Sequence, residues 1–432
     1  MSNRETIHRA AAVTASSLPG PQDVLRRSLP NGITVLAREN WSAPSVVVEG
    51  YVQVGNLDEP DHLTGLASFT SAMLGRGTRK RSFAEINELV ESVGASLGFG
   101  VDRRLTSFSA KSLAEDLDLI LDVLDDELRG PVFPSEYVDR LRGLRLTAIS
   151  ERENDTRQMA SLAFRELMYG NHPFGRDLLG SRSSNTAIRR EDLVSFYESH
   201  YCPQGMVIAI VGALPAEGAF EKVAATFGDW SGDRATRAEP PPVSPADERR
   251  ERRVPMPGKS QSDIIVGWPG MRRLDPDFDG ARLANTVLGV FGMMGRLGDK
   301  VREEQGMAYY AYSRLSANRD PGTWAAIAGV APGNVDRALQ AMLNEVERLR
   351  DEPVSEPELQ DCKRYLTGSL PIQLETNDGV ATVLVDIEWH GLGLDYVQRY
   401  RGIIDSITPE DVQAAAQKYL NPAVYTLAIA GP

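Results

Sequence analysis

The sequence predicts an α+β fold of two similar halves, each a β-sheet with helices packed mainly on one face, joined by a proline-rich linker. Three observations carry this expectation. A helix, a proline-bearing turn and a second helix occur twice, as "AEDLDLILDVLDDELRGPVFPSEYVDRLR" and as "GNVDRALQAMLNEVERLRDEPVSEPELQDCKR". A closing helix and strand also occur twice, as "REDLVSFYESHYCPQGMVIAIVGAL" and as "PEDVQAAAQKYLNPAVYTLAIAGP". Between the copies lies "RATRAEPPPVSPADERRERRVP", residues 234–255, whose prolines and charges cannot build a core. The resulting layout is a loose N-terminus over 1–20, a first half over 21–232, a linker over 233–255 and a second half over 256–432.

The elements follow in chain order. "GITVLAREN" and "SVVVEGYVQVG" alternate apolar and polar residues and read as strands, as does "GASLGFGVDRRLTSFSAKSL". A short helix with small and apolar residues at helical spacing is expected over 64–75, followed by the two long helices of the first repeat. "SDIIVGWPG" opens the second half as a strand. Val335, Ala338, Leu339, Met342, Leu343, Val346 and Leu349 then mark one apolar face at a period of 3.6. Each closing helix has an acidic first turn, ends near a proline and leads into a strand of β-branched and small residues. Within the linker, Arg249, Arg250, Arg252 and Arg253 alternate with Glu248 and Glu251 and read as a solvated tether.

At 432 residues the chain is too long for one compact core. Its net charge of −13 argues against nucleic acid as the main partner, because phosphate binding needs a basic face. It allows basic or unfolded peptides. Only Cys202 and Cys362 are present, far apart, so a reducing compartment is expected and a disulfide framework is not. The apolar runs are strand-sized, which argues against a membrane span. The first twenty residues carry Arg4, Glu5, His8 and Arg9 without a leucine-rich core, which reads as a frayed start on a cytoplasmic protein.

One stretch raises a functional question. "LTGLASFTSAMLGRGT", residues 63–78, holds Ser68, Thr70 and Ser71 where a chain this rich in charge would place charged side chains. With the segments around it and the later "LMYGNHPFGRDLLGS", it resembles the pitrilysin/insulinase family of zinc peptidases, which includes mitochondrial processing peptidase and small bacterial relatives. In that family a helix carries HxxEH: two histidines bind zinc and the glutamate is the general base. The resemblance puts Ser68 and Ala72 at the histidine positions and Ser71 at the glutamate. The third ligand, a glutamate on a later helix, falls near Ala148 or Ile149, with Glu151 and Glu153 nearby. None of the first five can bind zinc. Nor do His8, His62, His172, His200 and His390 form a pair at helical spacing, so no metal is expected on this chain. No histidine is placed to activate Ser68 or Ser71 as a nucleophile.

A second family motif survives. "GVFGMMGRLGDKVREEQGMAYYAYSRLS" resembles the glycine-rich segment that precedes an arginine and a tyrosine seven positions apart, here Arg302 and Tyr309. The resemblance implies that this pair contacts substrate. From spacing alone, Arg302 equally suits pairing with Glu303, Glu304 or nearby helix carbonyls. Strand alternation sets Tyr309, Ala311 and Ser313 on one side, with Tyr310 and Tyr312 packing on the other. Gly289, Gly292, Gly295 and Gly298 lack phosphate-loop spacing and read as tight backbone turns. The resemblance implies half of a clamshell: a non-catalytic subunit, with zinc in a homologous partner chain that carries HxxEH, acting on peptides or unfolded polypeptides. Two alternatives stand beside it: a peptidase-like binding or structural protein outside proteolysis, and a self-sufficient peptidase with an unorthodox metal site.

Overall fold

The computed structural model describes residues 18–233, 235, 237, 239–243 and 247–432; most of the expected loose N-terminus, with His8, and Pro245 of the linker lie outside them. Eleven strands form two sheets. The first holds β1 (Val24–Ser28), β2 (Thr34–Glu39), β3 (Ser45–Val52), β4 (Ser96–Val101), β5 (Thr106–Leu113) and β6 (Val207–Gly212), in the order β1-β2-β6-β3-β5-β4. The second holds β7 (Arg250–Pro255), β8 (Ser262–Pro269), β9 (Ala308–Leu315), β10 (Thr323–Val330) and β11 (Thr426–Gly431), in the order β7-β11-β8-β10-β9.

The helices of the first half are α1 (Leu66–Met73), α2 (Phe83–Ser92), α3 (Leu117–Arg129), α4 (Ser135–Glu153), α5 (Thr156–Tyr169), α6 (Arg182–Ala187), α7 (Arg190–His200) and α8 (Ala216–Phe227). Those of the second are α9 (Phe278–Gly289), α10 (Phe291–Leu297), α11 (Val335–Asp351), α12 (Glu356–Gln373), α13 (Asn377–His390), α14 (Tyr396–Ser406) and α15 (Pro409–Tyr419). Local chemistry starts several of them. Ser82 and Glu85 close a capping box on α2, and Thr408 with Asp411 does the same on α15, whose first residue is Pro409.

The repeat extends further than the sequence suggested. Each sheet contains one parallel pair, β2 with β6 and β7 with β11, and otherwise runs antiparallel. The second sheet thus reproduces the five strands β2-β6-β3-β5-β4. In this correspondence β7 stands for β2, which corrects the reading of the arginine run as a solvated tether. Arg250–Pro255 is an edge strand, with Glu251 bonded by Arg253 at 2.9 Å and also paired with Arg249, and Arg252 paired with Glu166. Charge on an edge strand blocks pairing with foreign strands, so the same composition serves a sheet. Further upstream, Arg237 is buried against Asp58, its Nε 2.6 Å from the carboxylate.

The chain divides into two compact units whose boundaries differ from the expected halves. One combines the described residues up to Thr147 with Arg176–Glu239 and Pro371–Gln398; the other combines Ala148–Gly175, Pro240–Leu370 and Arg399–Pro432. The cause is a reciprocal exchange of one helix. In the first unit, α13 covers the sheet face formed by Val24, Leu36, Val47, Tyr51, Val207, Ala209 and Val211 with Val380, Ala381, Leu384 and Trp389. In the second, α5 packs on β8, β11 and β7. The remaining helices cover the opposite face, so central strands such as β6 are buried on both sides and read as continuous apolar runs.

Candidate functional site

Helix α1 starts at Gly65, whose φ of +90° suits glycine, without a side-chain cap of its own. A distant residue supplies one: Glu59, 4% exposed, accepts the Gly65 and Ala67 N–H groups at 3.0 and 2.8 Å. Burial pushes the Glu59 carboxyl up to about 8, opposed by these two N–H groups and by Arg176 and Arg145. The apolar side of α1, Leu66, Ala67, Phe69 and Met73, is fully packed in the first unit's core.

Ser68, at the first histidine position, is half-buried, and its hydroxyl donates to the Leu178 carbonyl. Across from it stands Arg145 of α4, 7% exposed. Arg145 Nη2 lies 3.0 Å from Ser68 Oγ, 3.0 Å from the Gly65 carbonyl and 2.9 Å from the Leu179 carbonyl, while Nε donates to Asn185 Oδ1 at 2.6 Å. The Phe69 ring lies 5.0 Å from the guanidinium carbon. Burial pushes the Arg145 pKa down to about 10, against Glu59 and Asp177, so it stays charged at neutral pH. Ser71 is buried, Ala72 is exposed and Ile149, one turn beyond Arg145, is buried.

These residues do not fit zinc. Ser68, Ala72, Ala148 and Ile149 offer no imidazole or carboxylate. A guanidinium held at Ser68 would also repel a divalent ion, by about 4 kcal/mol for two unit charges 4 Å apart at a protein-like dielectric. Among the described residues no group of three His, Cys, Asp or Glu side chains is placed to hold a metal. Ser68 has no histidine as a base either, since its hydroxyl partners are Arg145 and backbone carbonyls. His62 is exposed in the turn before α1. His172 is a turn residue, its Nδ1 accepting the Phe174 N–H at 3.1 Å and its Nε2 2.7 Å from the Pro241 carbonyl. His200 bonds the Phe196 carbonyl within its own helix, and His390 is buried beside Asp386. Cys202 and Cys362 are buried and not joined by a disulfide.

The second segment is built differently. Gly292 and Gly295 both take φ of +60°, and a side chain on Gly295 would sit 2.6 Å from the Val287 carbonyl oxygen. They carry the chain from α9 into a wide helical turn, Gly298–Glu304, which holds Arg302 and packs against β9. Among the described residues the Arg302 guanidinium has one ionic neighbour, Glu303 at 3.6 Å, too long for a hydrogen bond. Tyr309 is 63% exposed, and among the described residues nothing hydrogen-bonds its hydroxyl.

The alternation expected for β9 needs correction. Ala311 and Ser313 do share a face, but it is covered: Ser313 Oγ bonds Asn285 Oδ1 of α9 at 2.8 Å. Tyr309 is exposed because the register slips by one beside it, Gly329 facing Tyr310 and Val330 facing Ala308. Nor are Tyr310 and Tyr312 merely packed. The Tyr310 hydroxyl donates to the buried Asp263 carboxylate, and Arg157 donates to the Tyr312 hydroxyl at 2.7 Å while standing 5.1 Å from the Tyr310 ring centre.

Sequence reasoning missed Arg145, Glu59 and Asp263. A signal for Arg145 existed: Val138, Leu141, Arg145, Ile149 and Arg152 repeat at three- and four-residue steps, placing an arginine on the inner stripe of α4. Glu59 and Asp263 carry no such mark, because their partners come from other elements.

Residues 34–182 match the family model described as insulinase, peptidase family M16, and residues 187–366 match the peptidase M16 inactive domain. A zinc protease of Streptomyces coelicolor is 30% identical over 98% of this chain and 94% of its own length. The probable mitochondrial-processing peptidase subunit beta of Arabidopsis thaliana is 26% identical over 94% of this chain and 78% of its own. In fold, a peptidase M16 inactive domain from Pseudomonas fluorescens superposes with a TM-score of 0.89 at 24% identity, covering 95% of this chain and 98% of that one. With both family models and a full-length relative in agreement, the chain belongs to the insulinase (M16) family of peptidases and lacks the family's HxxEH motif.

Proposed function

We propose that this chain is the non-catalytic subunit of a two-chain zinc peptidase, contributing Arg302 and Tyr309 in trans to a homologous partner that carries HxxEH and zinc. The observation that carries the reading is that Tyr309 is exposed and Arg302 has, among the described residues, no ionic neighbour closer than Glu303 at 3.6 Å, in a protein whose own α1 is closed by Arg145. A guanidinium offers fixed donors to peptide carbonyls. A tyrosine hydroxyl donates to an oxygen that gains charge as the peptide bond is attacked, a contact typically worth about 3 kcal/mol of barrier. The substrate is a peptide or unfolded polypeptide that adds as a strand to a sheet edge, where backbone groups are recognised more than side chains. The zinc protease and processing-peptidase names of the relatives support the reaction class. The two buried cysteines, not joined by a disulfide, support a reducing compartment such as the cytoplasm. Among the described residues no helix is long and apolar enough to cross a membrane.

The test is copurification with the catalytic partner from the native host, followed by a peptide assay. Arg302→Ala or Tyr309→Phe should depress hydrolysis ten-fold or more (order of magnitude) with the complex intact. Unchanged turnover would retire the trans-acting role and favour a peptidase-like binding protein.

A further inference from the structure

We infer that Tyr310, laid across Gly329 onto the buried carboxylate of Asp263, is a positioning residue that fixes the strand irregularity carrying Tyr309 and so aims the Tyr309 hydroxyl. The inference rests on the reading of Tyr309 as a substrate contact and supplies the device that orients it.

The geometry is a ladder across three strands. Asp263 of β8 pairs with Gly329 of β10, and Gly329 pairs with Tyr310 of β9. A phenol reaches a carboxylate two strands away only if the residue between them has no side chain. At Gly329 a Cβ would meet Tyr310 Cε1 at 2.6 Å and Cζ at 2.7 Å, so glycine makes the gap the ring spans. The far end of the span is rigid: Asp263 is 0% exposed and also accepts Thr156 Oγ1 at 2.5 Å and Gln261 Nε2 at 3.1 Å. Arg157 over the ring face holds the near end by a cation–π contact.

Tyr309 needs such a support. β9 is an edge strand with one neighbour, and the slip leaves Tyr309 without an opposite residue on β10. A residue in a bulge takes its direction from its flanks. On one side Met307 is buried and its N–H donates to the Val301 carbonyl at 3.1 Å. On the other side the anchor is Tyr310. Loss of the Tyr310 hydroxyl leaves Asp263 with Thr156 and Gln261 as donors, so the fold survives the change.

The experiment compares Tyr310→Phe, Tyr309→Phe and the double variant in the complex with the catalytic partner. Tyr310→Phe should lower kcat about five- to ten-fold at nearly constant KM, as a small misplacement of one transition-state donor does. In the Tyr309→Phe background it should add nothing, because Tyr310 acts through Tyr309; multiplying losses would overturn the inference. The isolated chain gives an independent readout that does not involve proteolysis. With 3-fluorotyrosine incorporated and the Tyr309 fluorine signal assigned by its loss in Tyr309→Phe, the Tyr310→Phe change should move that signal. It should also speed exchange of the Tyr309 and Tyr310 amides about ten-fold or more at an unchanged melting temperature. Gly329→Ala, which displaces the ring without removing its hydroxyl, should reproduce both effects. Unchanged fluorine signal and exchange in both variants would overturn the positioning role. Were Tyr309→Phe itself to leave hydrolysis intact, the proposed function would fall, while the isolated-chain result would still decide how Tyr309 is held.

Discussion

Two segments of this molecule, helix α1 and the stretch that carries Arg302 and Tyr309, are built in opposite ways. Helix α1 has lost every ligand and filled the space with a buried arginine that contacts Ser68, Gly65, Leu179 and Asn185. The Gly298–Leu315 segment carries Arg302, half-buried beside Glu303, and an exposed Tyr309, whose neighbour Tyr310 bonds Asp263. In one segment a permanent cation replaces an exchangeable one and hydrogen bonds close inward. In the other, Arg302 is half-buried with Glu303 3.6 Å away, and the Tyr309 side chain faces solvent. Beside α1 the polar groups are absorbed into packing, whereas the Tyr309 side chain stays exposed. An unsatisfied polar side chain at the surface costs the fold little, which is why it can persist for a ligand.

The largest expected effect lies in the closed segment. Arg145→Met removes a buried charge with four acceptors around it; Asn185 Oδ1 loses its donor, while Gly65 keeps the Phe69 N–H and Leu179 keeps Asn185 Nδ2. The loss of stability should be about 3–5 kcal/mol, read as a drop in the urea midpoint. Arg302→Ala and Tyr309→Phe, by contrast, should move the same midpoint by less than about 0.5 kcal/mol, because Tyr309 is exposed and half-buried Arg302 has its ionic neighbour Glu303 no nearer than 3.6 Å. A mild Arg145→Met would mean that the guanidinium is incidental to the closure.

A smaller, pH-dependent effect sharpens the same contrast. α1 is bracketed by two buried carboxyls: Glu59 at its start and Glu127, whose Oε1 lies 2.7 Å from where a Gly75 Cβ would stand. Burial pushes Glu127 up to about 8, with Asp126 adding to the rise. A carboxyl with a raised folded-state pKa binds its proton more tightly in the fold. Its burial therefore costs nothing below the unfolded value near 4.5, and the cost grows as pH rises toward 8. Stability should fall steadily as pH rises from 5 to 8, and Glu127→Gln should flatten that slope in thermal melts. A slope untouched by the substitution would place the titration elsewhere.

How much of this was legible in the sequence depended on how local each feature is. The helices of both repeats and the strands Thr34–Glu39, Ser45–Val52 and Ser262–Pro269 follow from periodicity within a dozen residues. The exchange of α5 and α13 between the two sheets left no local mark, because an amphipathic helix does not say which sheet it covers. The arginine-rich strand β7 hid behind its charges, since an edge strand needs little apolar surface. At the site, the absence of HxxEH was readable directly from the residues at those positions. What filled them was not: Arg145 lies 77 positions from Ser68, and only packing brings the two together.

The least effect is expected from an attempt to undo the loss. Ser68→His, Ser71→Glu and Ala72→His together rebuild HxxEH on α1, yet bound zinc and hydrolysis by the isolated chain should both stay at background. The resemblance puts the third ligand near Ala148 or Ile149, neither of which can bind metal, and two imidazoles alone make a poor zinc site. Arg145, held by Asn185 Oδ1 and two backbone carbonyls besides Ser68, keeps its place when the serine goes and sets its charge against the incoming ion. The histidine at position 68 would also have to fit against the Leu178 carbonyl that the serine now bonds. Elemental analysis after dialysis against zinc, with a peptide assay and a chelator control, checks this directly. Strong chelator-sensitive cleavage by the triple variant would show that the ligand register along α4 is misplaced and that the buried arginine yields to a metal.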